Sequence, residues 1–350
     1  VSPVAVAGEE IRLPDELERQ FVDGLLEDTG RALSMKLEEY RSAHGPGKAG
    51  LGDEAAALAV ERGAYIDRAL RLNAGHFLDM VLSDQERSEV ENLAPGSAEA
   101  PATLSGYLEV TVVDFEDDNG DLTQGLEVYE LFTETGERVR LFPARGEGRP
   151  DLSGKEVQVS GYRFGNDVIY DAGDAGALVD LTPDPVEEPT GGGKGGKGCK
   201  RNCDEQPAAE AEVNPDHEGP QRIIAILANF ADTTFPDYTP QQISNVLFGE
   251  VDSYYRETSY GKVSLEGSVT DVYQLTLANT CNYQTIQNTA VAAADADVDF
   301  TQYDRLMVFV PWSGCQFGGL GTIGKKWVQT DEGTVWMSVS WISARAALSK

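Results

Sequence analysis

Cysteine and histidine are the residue types from which a metal centre or an activated nucleophile is built, and this chain has four and three of them. Cys199 and Cys203 form one C-x-x-x-C pair. A structural zinc site needs four thiolate or imidazole ligands. No second pair and no histidine cluster accompanies this one, so a short local disulfide or a free pair is the expectation. Cys281 and Cys315 complete an even set, which suits up to two disulfides in an exported chain. A Cys281–Cys315 bond would close a loop of about 35 residues, roughly 3–4 kcal/mol in chain entropy. His44, His76 and His217 fall in a Gly-rich loop, a helical stretch and a linker. None follows residue 217, so neither a Ser/His/Asp nor a Cys/His arrangement has a base in the last third of the chain. There is also no G-x-S-x-G elbow.

Two acidic runs invite a calcium reading, and both fail on spacing. Glu116 to Asp121 has Phe115 and Leu126 where the Asp and Glu of a calcium loop belong, so it reads as a hairpin turn. In Asp295-x-Asp297-x-Asp299, Phe300 stands in place of the required Gly, which leaves a helix-to-strand connection. The Gly/Lys tract at 191–198 is not a phosphate loop, since Gly198 follows Lys197 where Ser or Thr is needed and no strand precedes it.

The elements that would carry such residues change character along the chain. Up to residue 94 the apolar spacing is helical: Leu17, Phe21, Leu25, Leu26, Leu33, Leu37 and Tyr40 form one stripe, started by Pro14 and Asp15. After the His44-Gly45-Pro46-Gly47 loop, a second helix opened by Asp53 places Leu58, Tyr65, Ala69 and Leu72 on one face, and Phe77, Met80 and Val81 follow Gly75. Ala, Pro, Gly and Ser between 94 and 101 mark a boundary. From 104 to 180 the period is two, with strands expected over 107–113, 126–132, 138–142, 156–161 and 167–170. Five short strands in some seventy residues predict a small OB-like barrel. Residues 183–219, rich in Pro, Glu, Gly, Lys and Ala, read as a flexible linker. From 220 to 350 strands (223–230, 263–277, 305–311, 334–342) alternate with helices (240–258, 283–296), and all four tryptophans are here. That alternation predicts an α/β sandwich with a mixed sheet.

The chain carries 59 acidic against 28 basic residues, a net charge of −31. Only 13 acidic and 8 basic residues lie beyond residue 219, so the first 219 hold a net of −26. Phosphate backbones are repelled by such a surface, which excludes nucleic acid as a partner. No run of about 18 apolar residues is present, so no helical membrane span is expected. Val4-Ala5-Val6-Ala7 before Gly8-Glu9-Glu10 has the small-residue texture of a signal-peptide end. The expectation is a secreted, extracellular protein with residues 1–7 as a signal remnant and the apolar part of that signal upstream.

The wording of the last 130 or so residues adds a resemblance. Ile-Ala-Ile-Leu-Ala-Asn-Phe at 224–230 is followed by Phe235-Pro236. A helix ends in Ser253-Tyr254-Tyr255-Arg256-Glu257-Thr258-Ser259-Tyr260-Gly261-Lys262-Val263. Tyr303-Asp304-Arg305-Leu306-Met307-Val308-Phe309-Val310-Pro311 comes next, then Gly318-Gly319-Leu320-Gly321-Thr322-Ile323-Gly324 before a Trp-rich strand. Together these resemble the gametolysin-like branch of the metzincin zinc peptidases, with the Ser-Tyr-Gly-Lys-Val run the most specific piece.

The resemblance implies a fold, an activity and an order of parts. The helical stretch (8–94) and the barrel (104–180) are then a prosegment that packs on its own catalytic domain, whose first portion is 220–350. In that family the next helix carries His-Glu-x-x-His-x-x-Gly-x-x-His, in which three histidines hold zinc and the glutamate activates the bound water. Ser343-Ala344-Arg345-Ala346-Ala347-Leu348-Ser349-Lys350 reads as the first turn of that helix. The catalytic domain is therefore expected to be incomplete at its C-terminus, with no catalytic residue and no zinc ligand among these 350 residues and no zinc bound by them. Intact, the protein is expected to need zinc and to hydrolyse extracellular protein or peptide. Substrate would lie along an edge strand, with Gly319, Leu320 and Gly321 on its rim. Cys199 or Cys203 could mask the zinc as a thiolate, or close a short disulfide loop. The rival expectation is a non-catalytic secreted binding protein that works through the small barrel.

Overall fold

A computed structural model describes residues 16–116, 122–182, 218–235, 238–311 and 317–344. Three helices come first: α1 (Glu16–Ser42), α2 (Gly47–Asp79) and α3 (Asp84–Leu93). The buried stripe of α1 is Val22, Leu26, Leu33 and Leu37, while Leu17 and Phe21 are largely exposed. The expected stripe was thus out of phase at its start: the face is set by where α2 packs, and Phe21 lies one residue, about 100°, away from Val22. Helix α2 starts at Gly47, not Asp53, and breaks at Asn73, whose φ of −160° and ψ of 71° are non-helical. Helix α3, which the apolar spacing did not reveal, is nucleated by a capping box between Ser83 and Glu86. A fully buried Arg62–Glu99 ion pair of 2.6 Å ties α2 to the chain entering the first strand.

The five strands expected over 104–180 are all present and longer: β1 (Ala100–Glu116), β2 (Leu122–Thr133), β3 (Arg138–Ala144), β4 (Glu156–Phe164) and β5 (Asp167–Asp171), with a short sixth, β6 (Leu178–Asp180). They pair in the order β6-β4-β5-β3-β2-β1, and β4 pairs also with the first half of β1. All of these pairings are antiparallel except β3 with β5. Gly106 stands where β1 changes partner from β4 to β2; a Cβ there would lie 2.2 Å from the Phe132 carbonyl oxygen, so only glycine fits the crossing. Leu108, Val110, Tyr129, Leu131, Val157 and Val168 fill the interior, and α1 and α2 pack on the outside against Phe142, Ala144 and Ile169.

The last segment contains β7 (Gly219–Asn229), α4 (Pro240–Asn245), a π-helical turn (Val246–Val251), α5 (Asp252–Thr258), β8 (Val263–Gln274), α6 (Tyr283–Ala294), β9 (Arg305–Val310), β10 (Phe317–Ile323), β11 (Lys326–Thr330) and β12 (Gly333–Ser343). Strands β10 and β11 were not among the expected strands. The order is β8-β7-β9-β12-β10, parallel throughout except for β10, and β11 forms a hairpin with β12. One face of this sheet is covered by α6 and the other by α4 and the π turn.

The two groups of strands are not separate in space. β1 pairs with β10, so all twelve strands belong to one mixed sheet, open at β6 and β8 and not a closed barrel as a whole. No helix among the described residues is long and apolar enough to cross a membrane.

Candidate peptide-binding edge

Gly319, Leu320 and Gly321 lie in the middle of β10. On one side they face Ile342, Trp341 and Ser340 of β12; on the other, Asp114, Val113 and Val112 of β1. They therefore do not sit on a bare rim, because β1 covers the edge on which a substrate was expected. The β1–β10 ladder runs antiparallel from Val110 opposite Ile323 to Phe115 opposite Phe317, with an irregularity between Asp114 and Phe115. Gly318 is the extra residue of this bulge, which locally bends the strand.

Amide directions follow from the neighbouring bonds. Leu108 N–H donates to the Lys155 carbonyl and Val110 N–H to Ser153 Oγ, on the side of β1 away from β2. Alternation then aims the Val112 and Asp114 amides at β10, while the odd-numbered amides serve β2. Side chains alternate across the sheet as well. Leu108 and Val110 enter the first core; Val113 and Phe115, with Val128 of β2, enter the core formed by α6, β7, β9 and β12.

Charged groups line the same seam. Lys326 of β11 donates to Glu109 Oε1 and to Gln284 Oε1 of α6, both at 2.7 Å, and the Lys326 and Glu109 side chains are each 6% exposed. Tyr283 of α6 donates to Glu130 of β2 at 2.9 Å, and Arg138 of β3 pairs with the same carboxylate. The Lys326 ammonium lies 5.6 Å from the Trp341 ring, which meets Tyr283 edge-on at 5.1 Å. Burial pushes the Glu109 carboxyl up and the Lys326 amine down, each against the pull of the other charge. These residues were not singled out in sequence, where a charge inside an alternating strand reads as solvent-facing. Glu109 and Glu130, in the middle of otherwise apolar strands, were the available sign.

The other candidates are dispersed. Asp295 accepts the Asp331 amide at 3.1 Å, Asp297 the Tyr273 hydroxyl at 2.9 Å, and Asp299 the Thr301 amide at 3.1 Å, so each carboxylate holds a connection in place. His44 and His76 belong to the helical segment, where His76 lies 3.2 Å from Glu27. Cys281 is disulfide-bonded. Cys199, Cys203, Cys315, His217 and residues 117–121, where a hairpin turn was expected, lie outside the described residues. Among the described residues, no three His, Cys, Asp or Glu side chains converge into a group that could hold a metal ion.

The Ser-Tyr-Gly-Lys-Val run terminates α5. Tyr260 and Gly261 both take positive φ, 56° and 79°, and the Gly261 amide returns to the Arg256 carbonyl at 2.7 Å. Ser259 Oγ then accepts the Val263 amide at 2.9 Å, and Asp252 accepts that of Leu265 at 2.7 Å, turning the chain into β8.

The sequence matches no family model and no curated protein. What the geometry offers is a strand, β10, whose one edge is taken by β12 and whose other edge is taken by an extended segment of β1, with α6 and a buried charge pair beside it.

Proposed function

We propose that this chain belongs to a secreted, zinc-dependent endopeptidase precursor of the gametolysin-like kind, acting on extracellular proteins. Residues 8–94 and 104–180 would be its prosegment, OB-like in its β part, and 220–350 the first portion of its catalytic domain. The observation that carries this reading is β10. It is an antiparallel, Gly-rich strand at the end of an otherwise parallel set, β8-β7-β9-β12-β10. An extended peptide beside such a strand is gripped by its main chain, with little demand on side chains. That is the mode of recognition a general endopeptidase needs. The OB-like reading is supported by five strands that pair β1-β2-β3-β5-β4 and return to β1, with β3 and β5 parallel. The zinc ligands of the reading would lie in the helix after β12.

A second reading, a non-catalytic secreted binding protein, draws on a cavity of about 160 Å³. Tyr107 of β1, Phe132 of β2 and Trp327 and Trp336 of the β11–β12 hairpin line it. The test is to express the gene through the thirty or so codons after Lys350. Peptidase chemistry requires the His-Glu-x-x-His-x-x-Gly-x-x-His spacing there and one zinc per chain by metal analysis. Neither motif nor stoichiometric zinc would leave the binding-protein reading in its place.

A further inference from the structure

β10 has two edges, and β12 uses one of them. The other is held from Ile323 to Phe317 by residues 110–115 of β1, in an antiparallel ladder. A separate strand laid on β10 by β-addition would make the same pattern of main-chain bonds. The side chains of β1 reach further than an edge contact requires. Val113 and Phe115 are buried in the core of the last segment, beside Leu320 and Trp341. Four residues before Val113, Glu109 meets the buried Lys326. Register is set by this pair, because slipping β1 by two positions would leave a buried ammonium without its carboxylate.

We propose that β1 is a built-in occupant of the peptide-binding edge of β10, and that displacing it uncovers a site for an extended peptide of the same type. The ligand class follows from what β1 places where. It is an extended chain with an acidic residue against Lys326 and, four and six positions later, β-branched or aromatic residues that fill the places of Val113 and Phe115. The proposal rests on the reading of β10 as a peptide-binding strand, and it needs neither zinc nor turnover.

In the intact chain β1 is tethered, so a free peptide competes against a high effective concentration. Cutting between 182 and 218 removes that advantage. The experiment places a site-specific protease sequence in this segment of the full chain. The probe is a fluorescein-labelled peptide of residues 109–115, followed by polarisation. Saturable binding is expected after cutting, with the uncut chain at least ~10-fold weaker. The same probe carrying Glu109→Lys should bind the cut chain at least ~10-fold more weakly, because it sets a cation against Lys326. In a Val112→Cys/Gly321→Cys chain, whose residues face each other across the ladder, the crosslink should abolish binding after cutting and reduction should restore it. A cut chain that binds the probe no better than the uncut one overturns the proposal. Probe binding without any zinc or proteolysis in the extended protein would sink the peptidase reading and leave this one standing; zinc-dependent proteolysis without probe binding would do the reverse.

Discussion

Glu109 and Lys326 show what a buried ion pair does and does not contribute. Each loses hydration at 6% exposure, and each is shifted toward its neutral form by that burial. Their mutual attraction and the bond to Gln284 offset a desolvation penalty that apolar side chains would not incur. The pair is therefore expected to matter for register more than for stability. Lys326→Met alone, which strands Glu109, should destabilise by about 3–5 kcal/mol in urea unfolding, while Glu109→Leu with Lys326→Met should be near neutral or stabilising. A double variant as unstable as the single one would contradict this. In sequence the role of Glu109 was hidden, because both faces of β1 are buried after residue 107, against two different cores. Alternation tells the two faces apart but not which of them meets water.

Among the elements, those with a strong periodic pattern were legible. The five strands of 104–180, β7, β8, β9, β12 and α6 all stand where apolar period and turn residues put them. Strand β10 was not, since Gly318, Gly319 and Gly321 carry no strand propensity of their own. Its conformation is imposed by β1 and β12 on either side. Helix α3 was hidden for the opposite reason: it buries little besides Arg87 and Val90 and depends on its cap. Ser83→Ala should destabilise by about 1 kcal/mol, measured by thermal or urea melts, with Ser83→Asp close to wild type. The pairing of β6 with β4 ends in a Lys155–Asp180 bond of 2.8 Å. Lys155 and the Thr182 hydroxyl and amide hold Asp180 down at about 2, against an ordinary 3.8. The folded state thus binds fewer protons than the unfolded chain between these values, and the stability gained at neutral pH is lost as pH falls from about 4 to about 2. Both partners are substantially exposed, so screening keeps the effect shallow. Melts across this range should show a flatter acid limb for Asp180→Asn, and an unchanged limb would rule the linkage out.

On the scale of the molecule, the sequence divides the chain at 183–219 by composition, and the structure joins the parts through β1 and β10. No local pattern announces that joint, because a strand's edge partner can be hundreds of residues away; Val112 and Gly321 are a case in point. The compositional boundary still makes a prediction about cleavage. Trypsin should first cut at Lys194 or Lys197, between glycines, or at the adjoining Lys200 or Arg201, and leave Arg222 within β7 intact. Early cutting at Arg222 would contradict the division. The peptidase reading is tested most directly by casein hydrolysis. The 350-residue chain is predicted to leave casein uncut. On the proposed reading, a chain extended past Lys350 to include a His-Glu-x-x-His-x-x-Gly-x-x-His segment is predicted to cleave it, to stop when a chelator removes its metal, and to lose turnover but not zinc when the glutamate of that segment is changed to glutamine. An extended, folded, zinc-loaded chain that leaves casein and other unfolded proteins intact would contradict the account.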